Sequence, residues 1–442
     1  MLSVTGRGPT HRGTRNRRLR PASLLRSSPI FSRLRYTDQF VRPVAGSLRH
    51  SRVSKLRYGS VVLLTGLLAV AQFYFLPNNL GPTEFGLAVL GLSVIQAALQ
   101  FSDLGSINAS LRSDLTDELR AALRENAVSI SSMFCLCGVI ASCALGFAGA
   151  LFGYVSAAAF ACALFLIGGK AHASAAVHMG DEKSATRHNV IWQNSPKFGS
   201  IIGSFGTTAL ASMLGALVTS VLFSRPQIPR RPSWSFLRTN RNFWIPGLAV
   251  SSSAFLLTWT DTYSLSIVSG LDEAGQYQAI VRPLTGITYI YLPILALIQA
   301  AHNANAETRV KRLMVAGGAL GASGSVVISV FLVVFGEEVW PDFRFDTKVV
   351  VVAAVAVTAM CIGTIIGIQL VSRGRHTTVS LNAAFAATVL LVLSLLTVEK
   401  LGALGAGLSS AIAWIVVTAC HSAAYFNLYS RIKARIRVSI RK

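Results

Sequence analysis

Apolar runs of about 18 to 25 residues recur along this chain, and each is long enough to cross a hydrocarbon core about 30 Å thick. Hydrophobic residues make up 52% of the 442 residues, and charged residues make up only 13%. A soluble domain carries roughly 25% charged residues, so this chain has too little polar surface to cover a water-soluble globule. The sequence therefore predicts an all-α, polytopic membrane protein.

Turn-forming and charged residues between the apolar runs predict twelve transmembrane helices. The first turn is rich in Pro, Asn and Gly and lies at residues 76–86, between two apolar runs. Residues 190–224 are short for two spans, and Ser195-Pro196 favours the alternative of one long helix starting there; a re-entrant pair is the third alternative. The predicted spans are residues 58–76, 85–107, 127–148, 154–172, 190–208, 210–225, 243–268, 278–300, 313–335, 348–371, 378–397 and 404–427.

The positive charges lie mostly on one side of this layout. About 35 of the 41 Lys and Arg residues fall in the two tails and in the connections on the same side, whereas Arg344, Lys348 and Lys400 fall on the other. This asymmetry predicts a multi-pass protein of the plasma (inner) membrane with both termini in the cytosol. Because the net charge of +23 follows the topology, it indicates membrane lipid and no nucleic acid as a partner.

These features divide the chain into five predicted segments. Residues 1–57 form a basic, disordered cytosolic tail, for which an arm on anionic lipid, a transit-like peptide and an over-long gene start are alternatives. The others are a first six-helix bundle (58–225), a cytosolic basic linker (226–242), a second six-helix bundle (243–427) and a basic cytosolic tail (428–442).

Weak internal similarity supports a duplicated six-helix unit. Thr83-Glu84-Phe85-Gly86 pairs with Gly275-Gln276-Tyr277-Gln278, and Leu214-Gly215-Ala216-Leu217 pairs with Leu401-Gly402-Ala403-Leu404. The second pair predicts an outer turn near residues 211–215.

No pattern typical of catalysis or of a cofactor is present. The chain has no phosphate-binding glycine loop, no His-Glu-x-x-His helix and no Gly-x-Ser-x-Gly elbow. Its six cysteines all lie within apolar runs, without the spacing of a zinc site or a disulfide framework. The predicted outer loops are also too short for the catalytic groups of a glycosyltransferase or polymerase. We therefore expect no enzymatic activity, no cofactor and no metal.

Charged residues inside the predicted spans are the default markers of a transport path. Asp261 and Arg282 lie about 12 Å and 8 Å from the turn that joins their helices, so the two could be in contact, either as a structural ion pair or as part of a substrate path. Lys197 lies about 10 Å from the cytosolic side. Its ammonium group either reaches back to the headgroups or faces a central cavity. Asp103, near the end of its span, is interpreted as a helix-end contact.

The first hairpin also resembles a known family. The motif Leu-Gly-Pro-Thr-Glu-Phe-Gly at residues 80–86, followed by an apolar run and Asp103-Leu104-Gly105, is similar to that of polysaccharide-type (O-antigen/exopolysaccharide) lipid-linked oligosaccharide flippases. These belong to the multidrug/oligosaccharidyl-lipid/polysaccharide exporter superfamily. The resemblance covers about residues 58–427. It implies two six-helix bundles around a central cavity, which move a polyprenyl-diphosphate-linked glycan across a prokaryotic plasma membrane for cell-surface polysaccharide biosynthesis.

This resemblance implies a role for the fixed cations and leaves rival functions open. A diphosphate is anionic, so its path needs cations such as Lys197 and Arg282, with Asp261 nearby. The expected partners are the lipid-linked oligosaccharide, membrane lipid and glycan assembly enzymes. A cation-coupled drug or small-molecule antiporter of the same superfamily would need acidic residues deep in the first bundle, where only Asp103 qualifies. A membrane glycosyltransferase or polymerase and an envelope scaffold are further alternatives.

Overall fold

A computed structural model describes residues 52–101, 116–178, 182–224, 231–288, 298 and 307–440. Every regular element in these ranges is a helix, which confirms the all-α prediction. The helices are α1 (Arg52–Phe101), α2 (Asp117–Phe147), α3 (Leu151–His178), α4 (Glu182–Ser204), α5 (Ala209–Phe223), α6 (Trp234–Thr239), α7 (Arg241–Val268), α8 (Leu271–Thr285), α9 (Glu307–Val339), α10 (Thr347–Ser372) and α11 (His376–Ile440).

Two of these helices are each divided by one glycine. Gly81 in α1 has φ 67° and ψ 171°, and Gly402 in α11 has φ 53° and ψ −131°. Such positive φ values favour glycine, which has no Cβ to clash with the backbone. Each glycine therefore separates two helical segments, one before it and one after it.

Six helices in the described ranges are long and apolar enough to cross a membrane. Two of them, Leu64–Gln100 with 37 residues and His376–Asn427 with 52, contain the glycine kinks and have the length for two crossings each. Helices α4, α5, α7 and α8 are shorter or more polar. With each kinked helix taken as two segments, the described helices other than α6 number twelve, as predicted. Helix α8 overlaps the predicted span 278–300 only at residues 278–285, and residues 289–297 and 299–300 lie outside the described ranges. The six apolar helices are Leu64–Gln100, Asp117–Phe147, Leu151–Ala173, Glu307–Val339, Thr347–Ser372 and His376–Asn427.

The region that was hardest to interpret from sequence, residues 190–224, contains two helices. Helix α4 ends at Ser204, Thr207 adopts a φ of 59°, and the Thr208 side chain caps the start of α5 by accepting a bond from the Ala211 N–H. Two helices were predicted here, and the alternative of one long helix is wrong. The turn lies at residues 205–208 and not at 211–215, because the Thr208 cap starts the next helix before that point.

The helices pack as two groups. Helices α1 to α5 pack on one another, as do α7 to α11, and α1 also packs on α7 and α8. The short helix α6 lies between the two groups along the chain. The division into bundles at 58–225 and 243–427, with a linker at 226–242, stays a prediction.

Both predicted tails contain helix next to the membrane-spanning part of the chain, which differs from the prediction only for the first tail. Residues 52–57 were expected to be disordered but belong to α1, and α11 continues through the predicted tail to Ile440. Helix is the natural continuation at both ends, because basic side chains can reach the headgroup region while the backbone keeps its internal hydrogen bonds. Residues 1–51 lie outside the described ranges.

The connections at one end of the helices are all short. This end, where Gly81, Gly270 and Gly402 lie, is called the hairpin end below; the charge pattern predicts that it is external. Its connections are residues 148–150, 205–208, 269–270 and 340–346. The prediction of short loops at this end is confirmed, and they leave no space for a separate catalytic domain there.

Candidate functional site

Helices α7 and α8 form a hairpin that carries two of the three predicted site residues. The turn includes Gly270, whose φ of 94° few residues other than glycine adopt. Side chains then pair across the hairpin in antiparallel register. The pairs are Asp261 with Tyr277, Thr262 with Gln278, and Trp259 with Arg282.

Asp261 is buried inside the second group of helices, with 3% of its surface exposed. One carboxylate oxygen accepts a 2.7 Å hydrogen bond from the Tyr277 hydroxyl group, and the other accepts a 2.7 Å bond from the Thr262 backbone N–H. The Thr262 hydroxyl group also donates to this second oxygen, at 3.2 Å. Among the side chains that the structure describes, Asp261 is the only buried acidic one. Its donors compensate for the loss of water around it.

Arg282 lies over an aromatic ring. Its guanidinium carbon is 4.0 Å from the centroid of the Trp259 ring, and Trp259 itself is buried. The face of an indole ring attracts a cation, and the attraction strengthens when water is excluded. This contact holds a half-buried positive charge at a defined depth on the α7–α8 hairpin.

The structure does not join Asp261 to Arg282. Within the described residues, no ion pair links these two side chains, because the carboxyl group contacts Tyr277 and Thr262. Tyr277 and Arg282 point about 140° apart around α8, given 100° per residue. The predicted order of depth is also wrong: because α8 begins at Leu271, directly after the turn, Arg282 lies beside Trp259 and is further from the turn than Asp261. Sequence spacing could not indicate where the turn ends or which face of the helix each side chain occupies.

Lys197, the third predicted site residue, lies in the other group of helices. It follows Pro196 in α4 and is half-buried, and its backbone C=O accepts a 2.9 Å bond from the Ser200 hydroxyl. Helix α4 packs on α1, α3 and α5. The two predicted cations, Lys197 and Arg282, therefore belong to different halves of the protein.

Beside Lys197 runs a set of polar contacts that the sequence analysis missed. Three side chains of the α1 segment before Gly81 bond to α4 along its length. The available signal was that polar residues recur every seven positions in this apolar segment, because positions seven apart share a helix face. The contacts are Asn194 Nδ2 to Thr65 Oγ1 at 3.1 Å, Gln72 Nε2 to Ser200 Oγ at 2.8 Å, and Asn79 Nδ2 to Ser204 Oγ at 2.9 Å.

The two halves repeat each other at the hairpin end. Gly81 with φ 67° and ψ 171° matches Gly270 with φ 94° and ψ 174°. The Ala209 N–H donates to Glu84 at 2.7 Å, and the Ala403 N–H donates to Glu273 at 3.1 Å. Each glutamate thus caps the last helix, or helical segment, of its own half. These equivalences support a duplicated unit.

The register of the repeat differs from the one predicted. Gly81 and Gly270, like Glu84 and Glu273, are separated by 189 positions, as are Thr83 and Asp272. Phe85 therefore corresponds to Ala274 and not to Tyr277. The two helix starts that the glutamates cap are also equivalent, so Ala209 corresponds to Ala403. The predicted pairing of Leu214 with Leu401 is wrong. It relied on two identical short sequences of small residues, which do not lie at the same distance from the turns in the two halves.

Comparisons with known proteins show the fold. No family model and no curated protein matches this chain. The lipid II flippase MurJ, in an inward closed conformation, is similar with a TM-score of 0.55 and 12% identity, over 84% of this chain and 87% of that chain. An outward-facing multidrug resistance MATE family transporter of the MOP superfamily has a TM-score of 0.54 and 14% identity, over 86% and 96%. An inward-facing structure of such a transporter has a TM-score of 0.50 and 14% identity, over 87% and 99%.

At this level of identity the similarity concerns the fold alone. The chain therefore has the polytopic all-α fold found in these transporters, and its substrate has to be argued from its own residues.

Proposed function

We propose that this protein is a transporter that flips a lipid-linked oligosaccharide, carried on a polyprenyl diphosphate, across the plasma membrane for cell-surface polysaccharide biosynthesis. The first support is the fold shared with a lipid II flippase over 84% of the chain. The protein acts without catalysing a chemical step, and it works beside the enzymes that assemble the glycan.

The observation that carries the proposal is that each half has a half-buried cation within a helix. Arg282 is held over Trp259 in the second half, and Lys197 lies on α4 in the first. A positive charge within a membrane helix is costly, so its presence there marks a candidate functional site. A diphosphate that passes between the halves would meet guanidinium and ammonium groups, both of which bind phosphate oxygens.

The proposed mechanism is alternating access between two rocking halves around a central cavity. Contacts of α1 with α7 and α8 support a state that is closed at the hairpin end. The polar headgroup crosses between the halves, while the lipid tail remains in the bilayer. The hairpin end is assigned to the outside by the excess of Lys and Arg at the opposite ends of the helices.

Flipping can be measured with the full chain in proteoliposomes. A fluorescent polyprenyl-diphosphate oligosaccharide is placed in both leaflets, and a membrane-impermeant quencher reports the outer fraction. We expect the native protein to raise the quenched fraction above that of protein-free vesicles. Replacing Lys197 and Arg282 together with Gln should slow flipping at least about tenfold, because one hydrogen bond to a charged group contributes about 1.5–3 kcal/mol.

A matched control separates this effect from a general loss of charge. Lys348→Gln removes an exposed cation at the start of α10 and should leave the rate unchanged. An unchanged flipping rate in the double variant would contradict the electrostatic role of the two cations. Failure of the native protein to flip the glycan lipid would contradict the proposed substrate.

A cation-coupled drug antiporter is the second candidate, because MATE family transporters share the fold. The observation that favours it is Asp261, a buried carboxyl group that accepts bonds from two hydroxyl groups and could bind and release a cation. This residue lies in the second half, whereas such a residue was expected in the first. Uptake of a fluorescent organic cation into the same vesicles under an imposed proton or sodium gradient tests this function. Gradient-driven uptake that Asp261→Asn abolishes, without glycan-lipid flipping, would favour the antiporter.

A further inference from the structure

The two halves meet at the hairpin end through a pair of glycines. A Cβ atom added to Gly86 of α1 would overlap the carbonyl oxygen of Leu271, and one added to Gly275 of α8 would overlap the carbonyl oxygen of Pro82. A side chain at either position would force the helices apart, as in other close helix contacts that depend on small residues. The two backbones can therefore approach this closely only with glycine at both positions.

A local two-fold symmetry relates the α1 side of this contact to the α8 side. Gly86 and Gly275 are equivalent in the repeat, and so are Pro82 and Leu271, each of which directly follows its turn glycine. Each glycine thus meets the first residue beyond the other turn. The Thr83 hydroxyl also bonds to the Asp272 carboxylate at 3.3 Å, and these two positions are equivalent as well. We call residues 82–86 with residues 271–275 the seam.

Aromatic residues from the α9–α10 connection cover the seam. Phe343 packs edge-on against Phe85, with ring centroids 5.7 Å apart, and the Trp340 indole donates to the Tyr74 carbonyl oxygen at 3.3 Å. Phe343 and Trp340 are both buried. Large apolar groups therefore seal the hairpin end above the paired glycines.

Bonds within each half are stronger than the polar contact across the seam. Glu84 and Glu273 each accept a bond from the start of a helix, where a carboxylate is favoured by the free N–H groups and the helix dipole. Both bonds are partly buried and stay within one half. The Thr83–Asp272 bond is exposed and long, so water replaces it at little cost.

We propose that the seam is the external gate of the transporter. The gate opens when its two equivalent rigid segments, residues 82–86 and residues 271–275, move apart; each segment is called a leaf below. Gly86 and Gly275 set the distance between the leaves in the closed state, and the Thr83–Asp272 bond stabilises that state. This inference rests on the proposed transport function.

Each leaf stays fastened to its own half through its glutamate cap. Opening costs the apolar contact of Phe343 and the two 3.3 Å bonds Thr83–Asp272 and Trp340–Tyr74. Deeper between the halves, the 2.6 Å bond between the Ser93 and Tyr263 hydroxyl groups is a further contact that wide opening would break.

Cross-linking tests the gate in a variant whose six native cysteines, all free, are replaced. Thr83→Cys with Asp272→Cys should form a disulfide that crosses the seam, stop flipping by at least tenfold, and release it on reduction. The matched control is Asn79→Cys with Ser204→Cys, whose side chains bond at 2.9 Å near the same end but within one half. Cross-linking this control pair should leave flipping within twofold, because the pair does not cross the seam.

A distance measurement provides a readout that needs no substrate. Spin labels at Asn78→Cys and Ser269→Cys, two exposed positions beside the seam, report the separation of the leaves. Gly86→Ala should shift the distance distribution towards longer values, whereas Gly66→Ala should not, because a Cβ at Gly66 meets no atom within 4 Å. Normal flipping by the seam cross-link, or an unchanged distribution in Gly86→Ala, would overturn the gate.

The same two experiments distinguish the gate from the proposed substrate. If the distance distribution responds to Gly86→Ala but the protein flips no glycan lipid, the gate is supported and the proposed substrate is contradicted. Flipping that continues through a locked seam supports the substrate and removes the gate.

Discussion

The Tyr277 hydroxyl group donates a 2.7 Å hydrogen bond to the Asp261 carboxylate across the α7–α8 hairpin, and both residues are buried. Thr262 and Gln278 form the adjacent pair, with a 2.6 Å bond between Gln278 Nε2 and Thr262 Oγ1. These two bonds fix the register of the hairpin. They also fix the depth at which Arg282 reaches Trp259, so the polar pairs position the proposed substrate-path cation.

Tyr277→Phe should lower the free energy of unfolding by about 1–3 kcal/mol, because it leaves a buried carboxylate oxygen without its donor. Chemical denaturation of the purified protein in detergent measures this change. Tyr74→Phe is the control, since Tyr74 is 48% exposed, and it should stay within about 0.5 kcal/mol of the native protein. Equal losses in the two variants would show that the Tyr277–Asp261 bond has no special weight.

The glutamate caps should be equivalent in energy as they are in position. Glu84→Ala and Glu273→Ala should each destabilise the protein by about 0.5–2 kcal/mol through loss of a helix cap. The Gln variants should lose less, since the amide keeps an acceptor oxygen. Thermal unfolding measures both, with the exposed Glu338→Ala as the unaffected control. A large loss at only one cap would contradict the two-fold equivalence of the halves.

Trp259 should matter for transport through its contact with Arg282. Trp259→Leu removes the aromatic face and should weaken the hold on the guanidinium group by about 0.5–2 kcal/mol, whereas Trp259→Phe keeps part of it. The flipping rate should therefore decrease in the order native, Phe, Leu. Trp234→Leu, at a position 67% exposed, is the control. A Phe variant as slow as the Leu variant would indicate that the size of the indole matters more than its attraction for a cation.

The orientation of the chain is a direct prediction of the charge pattern. A cysteine at Thr207, in the turn between α4 and α5, should react with a membrane-impermeant thiol reagent added to intact cells. A cysteine at Arg231, before α6, should react only after the membrane is permeabilised. The reverse pattern would invert the topology and move the seam to the cytosolic side.

The sequence by itself determined the class of this protein and most of its helix layout. Hydrophobicity and turn residues are local properties, so they predicted the all-α membrane fold, the break at residues 76–86 and two helices in residues 190–224. They also predicted short connections at the hairpin end. The resemblance of the first hairpin pointed to the transporter fold that the solved structures share.

Only the tertiary structure decided which side chains meet. Asp261 contacts Tyr277 and not Arg282, Gln72 bonds to Ser200, and the first turns of the two halves are 189 positions apart. Hydropathy sets the depth of a residue in the membrane, but the rotation of each helix depends on how its small and polar side chains pack against distant helices. The bond from Ala209 to Glu84 joins residues 125 positions apart, and no local pattern can specify such a partner.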